Sequence, residues 1–279
     1  GVDMAKVTIQ DFIHRATEQF NNGDMLAARQ TCLNALAKFP ANREALYIFG
    51  SINYFGLSNP FKEMLLRLKK INFNPLSVLD IGAYSGDWTR AFKEVFPQAK
   101  VLMVEAQAQK EAELAKVKMD LPGTDYVIAL LGQEERDSVP FFLMKTPFGS
   151  TGSSIYEEQT SFNREKQNLP MTTLDRLVQD RKEGQCIFIK LDIQGAELDV
   201  LDGAPQVLSG VEFVFMEVGV LEYNKGAPLF DETVKRMAQK GFVVFDVCEQ
   251  HRLFNNILFQ IDVLFIREGS QFKPKGVLV

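Results

Sequence analysis

The stretch from Val78 to Glu105 constrains the fold of this chain more than any other part of the sequence. It begins as an apolar strand, passes through a loop that contains Gly82 and Gly86, continues with a helical pattern, and ends in a second apolar strand that closes on a carboxylate. The glycines allow the sharp turn that such a loop needs. This succession of strand, loop, helix and strand predicts a nucleotide-type cofactor site in an α/β fold.

The spacing within the loop distinguishes two kinds of cofactor. A dinucleotide fingerprint reads G-x-G-x-x-G, whereas this chain reads Asp80-x-Gly82-x-x-x-Gly86. An acid at the first position would repel a pyrophosphate but suits the α-ammonium group of S-adenosyl-L-methionine, and Glu105 can accept both hydroxyls of an adenosine ribose. A tight βα turn without a ligand is the alternative, which Glu105 disfavours. We expect the cofactor to contact Asp80, Gly82, Ala83, Tyr84, Ser85, Gly86, Glu105 and Ala106, with Leu130 and Leu131 beside the adenine.

The composition predicts a protein of the cytoplasm. Apolar residues make up 46% of the chain, and the net charge of -5 comes from interspersed charges, which argues against nucleic acid as a partner. No run of residues approaches the roughly 20 apolar positions of a membrane span, so no membrane partner is expected. Cys32, Cys186 and Cys248 lie far apart without C-x-x-C spacing. We therefore expect neither a disulfide framework nor a thiolate zinc site.

Residues 1–58 have a helical pattern that differs from the rest of the chain. Ala16 and Gly50 lie 34 residues apart, which is the period of a tetratricopeptide repeat, and the segment resembles such a repeat. Because only one and a half repeats are visible, the segment should pack on another domain or another chain. It is either a helical cap or a module that binds a protein partner or a second copy of the chain. Residues 59–75 are predicted to be a linker with an amphipathic basic helix.

Residues 76–268 show strand patterns at intervals suited to βα units, and a tail follows at 269–279. The last two strands are joined by a hairpin-length connection, so the final strand should run antiparallel. Residues 132–172 are too long for a simple loop, and we expect an inserted strand and a mobile lid there. The result is a predicted doubly wound, Rossmann-like α/β sheet of seven strands, preceded by a small all-helical segment. The strands are expected near 77–81, 101–105, 126–131, 186–192, 212–217, 242–247 and 260–266.

A second motif, Lys190-x-Asp192-x-Gln194-Gly195-Ala196-Glu197, follows an apolar strand. It places Asp192 at the carboxyl edge of the sheet, beside the first loop. Together with Asp80-x-Gly82-Ala83 and a closing Glu217, it resembles the FkbM family of S-adenosylmethionine-dependent methyltransferases over about residues 76–267. The resemblance implies a class I methyltransferase fold and mostly O-methylation of sugars, polyketides and related secondary metabolites. The family motif often has Glu where this chain has Gln194, so one carboxylate fewer is expected here.

Methyl transfer to an unactivated alcohol requires a base that removes the hydroxyl proton. The candidates are Asp192, then Glu217 at the end of the next strand, then His251 on the last hairpin. Asp192 could instead hold the methionine ammonium group or cap the helix that begins at Ala196. A divalent metal is compatible with Asp192, Glu197 and Glu217 as oxygen ligands, but no ligand spacing demands one, and no metal site is predicted.

Three functions fit these residues. The first is an S-adenosylmethionine-dependent O-methyltransferase that acts on a hydroxyl of a sugar, glycan or secondary metabolite. The second is an interaction protein that binds the cofactor without turnover. The third is an N-methyltransferase, which needs no base because a neutral amine attacks unaided.

Overall fold

The computed structural model of the protein describes residues 8–22, 24–55, 60–146, 149–160, 162–253 and 256–273. The chain divides into two compact units, Gly1–Glu63 and Met64–Val279. Several parts of the predicted segments lie outside the described residues. These are residues 1–7 of the helical segment, residues 56–59 at its junction with the linker, and residues 274–279 of the tail.

The first unit contains three helices, α1 (Ile9–Asn21), α2 (Met25–Lys38) and α3 (Arg43–Phe55). Helix α1 begins with a capping box, in which Thr8 and Asp11 satisfy each other's backbone amides. Small side chains at the centre of the unit let the helices approach closely. Ala16, Ala28, Ala35 and Ala45 are all buried. The described part of the N-terminal segment is therefore helical, as predicted.

The likeness of this segment to a tetratricopeptide repeat stays a prediction. Ala16 is buried, as the small-residue position of such a repeat requires. A Cβ atom at Gly50, however, would meet nothing within 4 Å, so close packing does not explain this glycine. Helix α4 (Pro60–Lys70) follows and coincides with the predicted linker helix.

The second unit is an α/β domain built on a seven-stranded sheet. The strands of the domain are β1 (Ser77–Ile81), β2 (Lys100–Glu105), β3 (Thr124–Ile128), β4 (Leu130–Leu131), β5 (Arg136–Lys145), β6 (Asn163–Thr172), β7 (Phe188–Leu191), β8 (Phe213–Gly219), β9 (Phe242–Arg252) and β10 (Leu258–Arg267). The main sheet has the order β3-β2-β1-β7-β8-β10-β9, and β10, the last strand in the sequence, runs antiparallel to both of its neighbours, as predicted.

Helices connect the parallel strands and cover the sheet. Strand β7 is buried along its whole length, and β1 and β8 are buried at most positions, as expected for central strands with both faces covered. An aromatic cluster lies beneath the sheet, with Trp88 stacked on Phe92 at 4.9 Å between ring centres. The helices are α5 (Asp87–Val95), α6 (Glu111–Asp120), α7 (Leu174–Arg181), α8 (Glu197–Asp202), α9 (Pro205–Leu208) and α10 (Phe230–Gln239). None of the described helices combines the length and apolarity that crossing a bilayer requires.

The long insertion holds more structure than the single strand that was expected. Strands β4, β6 and β5 form a second sheet in that order. The predicted strand at 126–131 is in fact two strands, because Leu130 and Leu131 leave the main sheet to pair with Met171 and Thr172 of β6. Strand β5 contains Pro140, which is tolerated because β5 lies at the edge of its sheet.

Gly86 provides a test of the packing beneath the first loop. It has a φ of +81°, and a Cβ atom would lie 2.6 Å from Cγ2 of Val117 on α6. We expect Gly86→Ala to lower the free energy of unfolding by about 1–3 kcal/mol, through backbone strain and overpacking. Urea denaturation would measure this loss. Gly184→Ala is the matched control, since no atom lies within 4 Å of its Cβ position. Equal stability of the two variants would show that neither the positive φ of Gly86 nor its packing against Val117 requires a glycine.

Candidate active site

A buried ion pair lies below the first loop and joins strands β1 and β7. Asp80 and Lys190 are directly opposite each other in the parallel register, with Lys190 Nζ 3.0 Å from Asp80 Oδ1. The same Nζ donates to the carbonyl oxygen of Gly82 at 2.7 Å, and Thr89 Oγ1 donates to Asp80 Oδ2 at 2.6 Å. Burial alone would lower the pKa of Lys190, but Asp80 and Asp192 outweigh it and raise the pKa. Lys190 is therefore a charged anchor inside the sheet.

This ion pair corrects the expectation for Asp80. The side chain is fully buried and both of its oxygens are engaged by Thr89 and Lys190, so it offers no surface to a methionine ammonium group. Its role is to position the loop from below. The sequence contained a signal for this arrangement: Lys190 interrupts an apolar strand, and a buried cation requires an acidic partner on a neighbouring strand.

Glu105, at the end of β2, holds the loop from the other side. Its Oε2 accepts a hydrogen bond from the Tyr84 amide at 2.8 Å, and its Oε1 accepts one from the Gln107 amide at 2.9 Å. Burial raises the pKa of Glu105, while these amides and Lys190 lower it in part. Each oxygen keeps lone-pair capacity for a further donor. Glu105 can thus accept ribose hydroxyls as predicted, while it also shapes the loop.

A cleft of about 650 Å³ opens at the carboxyl edge of β1, β2 and β7. One wall is apolar and suits a planar base, and Glu105 and Asp192 provide carboxylates for hydroxyl and cationic groups. These features fit an adenosine that carries a positively charged tail. The apolar wall consists of Ala129, Leu130, Leu131, Phe141 and Ile155.

The structure separates the predicted cofactor residues into two groups. Those that line the cleft are Gly82, Tyr84, Glu105, Ala106, Leu130 and Leu131. The others support the loop. Ala83 is buried, Ser85 Oγ donates to Asp87 at 2.7 Å, and Gly86 caps α5 in the left-handed conformation. Packing also requires a glycine at position 82, because a Cβ atom on Gly82 would lie 2.0 Å from the carbonyl oxygen of Asp192.

The insertion forms part of the cleft wall, which sequence reasoning assigned only to an undefined lid. Residues 151–155, between β5 and β6, line the cleft. Ser154 Oγ contacts the carbonyl oxygens of Ile193 and Gln194 at 3.2 and 2.9 Å. The Ser150 amide donates to the Tyr84 hydroxyl at 3.2 Å. The cleft is thus enclosed by contacts to both predicted motifs.

The second motif brings Asp192 and Glu217 together through one amide group. Gln194 Nε2 donates to Asp192 Oδ1 at 3.1 Å and to Glu217 Oε1 at 3.0 Å. Asp192 lines the cleft, and 39% of its side chain is exposed. It does not cap α8, whose N-cap residue Ala196 makes no side-chain capping bond. This leaves the Asp192 carboxylate available at the cleft.

Glu197 stabilises the motif instead. Its Oε1 accepts the amide of Ile193 at 2.9 Å, and its Oε2 accepts the amide of Gly195 at 3.0 Å. Because both oxygens serve the backbone, Glu197 does not join Asp192 and Glu217 as a metal ligand. Within the described part of the chain, the potential ligand atoms that converge within 4.8 Å belong to Glu217, His251 and Asp262.

His251 lies in strand β9, whereas the strands predicted near 242–247 and 260–266 left it in the loop between them. The strand continues through Arg252, so the connecting loop is shorter than predicted. His251 Nε2 lies 3.3 Å from Asp262 Oδ1, and only 17% of its side chain is exposed. Burial would lower the pKa of His251, but Asp262 and Glu217 raise it to about 9. Glu217 has a pKa well above its usual value because of burial and its neighbours Asp192 and Asp262.

The raised pKa of Glu197 predicts that the stability of the protein depends on pH. Burial raises its pKa from 4.5 to about 7, against the opposing effect of its amide partners. In this window the folded protein holds a proton that the unfolded chain has released, so the contribution of Glu197 to stability falls as pH rises. We expect a shallower fall in unfolding free energy for Glu197→Gln than for the unsubstituted protein. Urea titrations at several pH values between 4.5 and 7 would measure both slopes. Parallel slopes would refute this role.

The position of Glu105 in the cleft predicts that its carboxylate contributes to cofactor affinity. Glu105→Gln places an NH₂ group against one of the loop amides and removes an acceptor for the ribose. We expect affinity for S-adenosylhomocysteine to fall by at least about tenfold, as for a lost hydrogen bond to a charged group. Calorimetric titration would measure this, with the exposed Glu113→Gln as the control. Unchanged affinity in Glu105→Gln would show that the ligand binds elsewhere.

Comparison with known proteins gives a family match and a set of similar solved structures. The family model of the methyltransferase FkbM domain matches residues 80–244. No curated protein matches the sequence. Similar solved structures include the precorrin-6y C5,15-methyltransferase of Geobacter metallireducens GS-15, with 11% identity over 74% of this chain and 86% of that chain and a TM-score of 0.42. Another is the 1,6-didemethyltoxoflavin-N1-methyltransferase of Burkholderia thailandensis, solved with S-adenosylhomocysteine, with 11% identity, coverage of 75% and 77%, and a TM-score of 0.43.

The family match spans both motifs of the site, from Asp80 at the start of the first loop to a point beyond Glu217, and it covers more than half of the chain. The chain therefore belongs to the FkbM methyltransferase family and is an S-adenosylmethionine-dependent methyltransferase.

Proposed function

We propose that this protein methylates a hydroxyl oxygen of a small-molecule or glycan acceptor, such as a sugar or a secondary metabolite. One observation carries the proposal. Asp192 presents a partly exposed carboxylate within the cofactor cleft, at the carboxyl end of β7. An oxygen nucleophile needs such a base, whereas a neutral amine does not.

The surroundings of Asp192 suit the removal of a proton. Its Oδ1 is fixed by Gln194, and its Oδ2 lies 4.0 Å from Lys190 Nζ. That separation is too long for a hydrogen bond, and Lys190 is already committed to Asp80 and to the Gly82 carbonyl. Oδ2 is therefore available to an acceptor hydroxyl, while its partner oxygen is held in place.

Methyl transfer then requires that the acceptor oxygen be aligned with the methyl group and that the hydroxyl proton be removed. When bound, S-adenosylmethionine supplies an electrophilic methyl group on a sulfonium. Asp192 takes the hydroxyl proton as the acceptor oxygen forms its bond to the methyl carbon. The cleft walls hold the reacting groups in line, which replaces a bimolecular encounter by an oriented one. The products are a methyl ether, S-adenosylhomocysteine and a protonated carboxyl group.

Glu217 and His251 have more remote positions in this scheme. Glu217 lines a neighbouring cavity of about 470 Å³ and reaches Asp192 only through the amide of Gln194. His251 lies beyond Glu217, against Asp262 on β10. We therefore assign the base to Asp192, and we assign Glu217 to the positioning of the acceptor.

Substitution of Asp192 tests the proposal. Asp192→Asn keeps the shape of the side chain but cannot take a proton, so we expect kcat with a hydroxyl acceptor to fall by about 100-fold or more. Affinity for S-adenosylhomocysteine should change by no more than a few fold. Release of S-adenosylhomocysteine during a screen of sugar and polyketide alcohols would measure turnover.

The exposed Asp137→Asn is the matched control and should retain full turnover. Undiminished turnover by Asp192→Asn would contradict a base at this position and favour an amine acceptor. Binding of the cofactor without turnover of any hydroxyl or amine acceptor would favour a non-catalytic role.

A further inference from the structure

We propose that Glu217, His251 and Asp262 form a binding site for a divalent first-row transition-metal ion. The three residues lie on β8, β9 and β10, which are adjacent strands of the main sheet. The site shares Glu217 with the side of the cleft assigned to the acceptor, but the methyl-transfer step assigned to Asp192 requires no metal. The inference therefore does not depend on the identity of the acceptor.

The register of the strands places these side chains together. Glu217 and Asp262 are directly opposite each other in the antiparallel pair of β8 and β10. His251 is opposite Gln260, which lies two residues before Asp262 and so shares its face of the sheet. The nitrogen of the imidazole and an oxygen of each carboxylate lie within 4.8 Å of one another. One ion at ordinary ligand distances can contact all three.

The carboxylates of Glu217 and Asp262 can accept more partners than the hydrogen bonds that the structure gives them. The amides of Gln194 and Gln260 both donate to Oε1 of Glu217, at 3.0 and 2.8 Å. Asp262 has only 7% of its side chain exposed, and His251 contacts its Oδ1. A carboxylate has about four lone-pair sites, so each of these side chains can accept a further partner.

The charge balance also favours a cation. Like charges directly opposite in a sheet destabilise it unless something compensates them. His251 is the basic side chain that meets this pair in the described structure, since Lys190 is engaged by Asp80. Even a protonated His251 would supply one positive charge against two carboxylates, whereas a divalent ion would supply two.

The donor set indicates the class of metal. An imidazole with two carboxylates suits Zn²⁺, Mn²⁺ or Fe²⁺, whereas Mg²⁺ and Ca²⁺ prefer all-oxygen sites. A cavity that Glu217 and Gln260 line adjoins the cluster at Glu217. It also leaves room for water or an acceptor group to complete the coordination, because three protein ligands do not fill the sphere of such an ion.

The two histidines of the chain make a direct test feasible. His251 belongs to the proposed site, while His14 is exposed on α1 in the other unit. Zn²⁺ is titrated into the complete protein, carrying no added histidines, with the ring signals of both residues followed by NMR. We expect one equivalent of Zn²⁺ to shift the His251 signals and to leave those of His14 unchanged. Unmoved His251 signals, or shifts of His14 alone, would overturn the proposal.

Substitutions provide the second arm of the test. Calorimetry should show binding of one Zn²⁺ that weakens by at least about tenfold in Asp262→Asn and in His251→Gln, as expected when a ligand is lost. His14→Gln is the matched control and should bind like the unsubstituted protein. Equal affinity in all variants would overturn the site. If a ligand variant fails to fold, the NMR titration of the unsubstituted protein decides alone.

Discussion

The ion pair between Asp80 and Lys190 is the interaction on which the rest of the site depends. It joins β1 and β7 at one register position inside the sheet, where neither charge has access to water. Removing one partner of such a pair typically costs about 3–5 kcal/mol, because an uncompensated charge stays buried. Both cofactor-facing motifs begin at these two strands. The pair therefore fixes the first loop relative to the second before any ligand arrives.

The loop geometry follows from this anchor. Lys190 donates to the carbonyl of Gly82, which holds the loop at its first turn, and Glu105 binds the amides of Tyr84 and Gln107 at its far end. The loop is thus restrained from three strands at once. A site whose donors and acceptors are already oriented loses less entropy when it binds a ligand. The fixed position of Glu105 and the close approach of Gly82 to Asp192 both belong to this restrained loop.

Local patterns were sufficient to predict the sheet and the strand ends that carry the site. Glu105 and Asp192 could be placed at the cleft because an acid that follows an apolar strand must lie at the carboxyl edge. The role of Asp80 could not be found in this way, since it depends on which residue of β7 lies opposite it in the sheet. His251 was misplaced for a related reason. Its neighbours in β9 are polar, and their strand conformation depends on pairing with β10 rather than on their own pattern.

Gln194 shows how a single polar group can unite two parts of the site. Its backbone is in the left-handed region, with φ of 57°, a conformation that side chains other than glycine adopt at a cost. This conformation directs Nε2 between Asp192 and Glu217, and one NH₂ group donates to both. A glutamate here would donate to neither carboxylate and would add a third negative charge between them. The amide therefore makes the close approach of Asp192 and Glu217 favourable, and it connects the cofactor cleft to the neighbouring cavity.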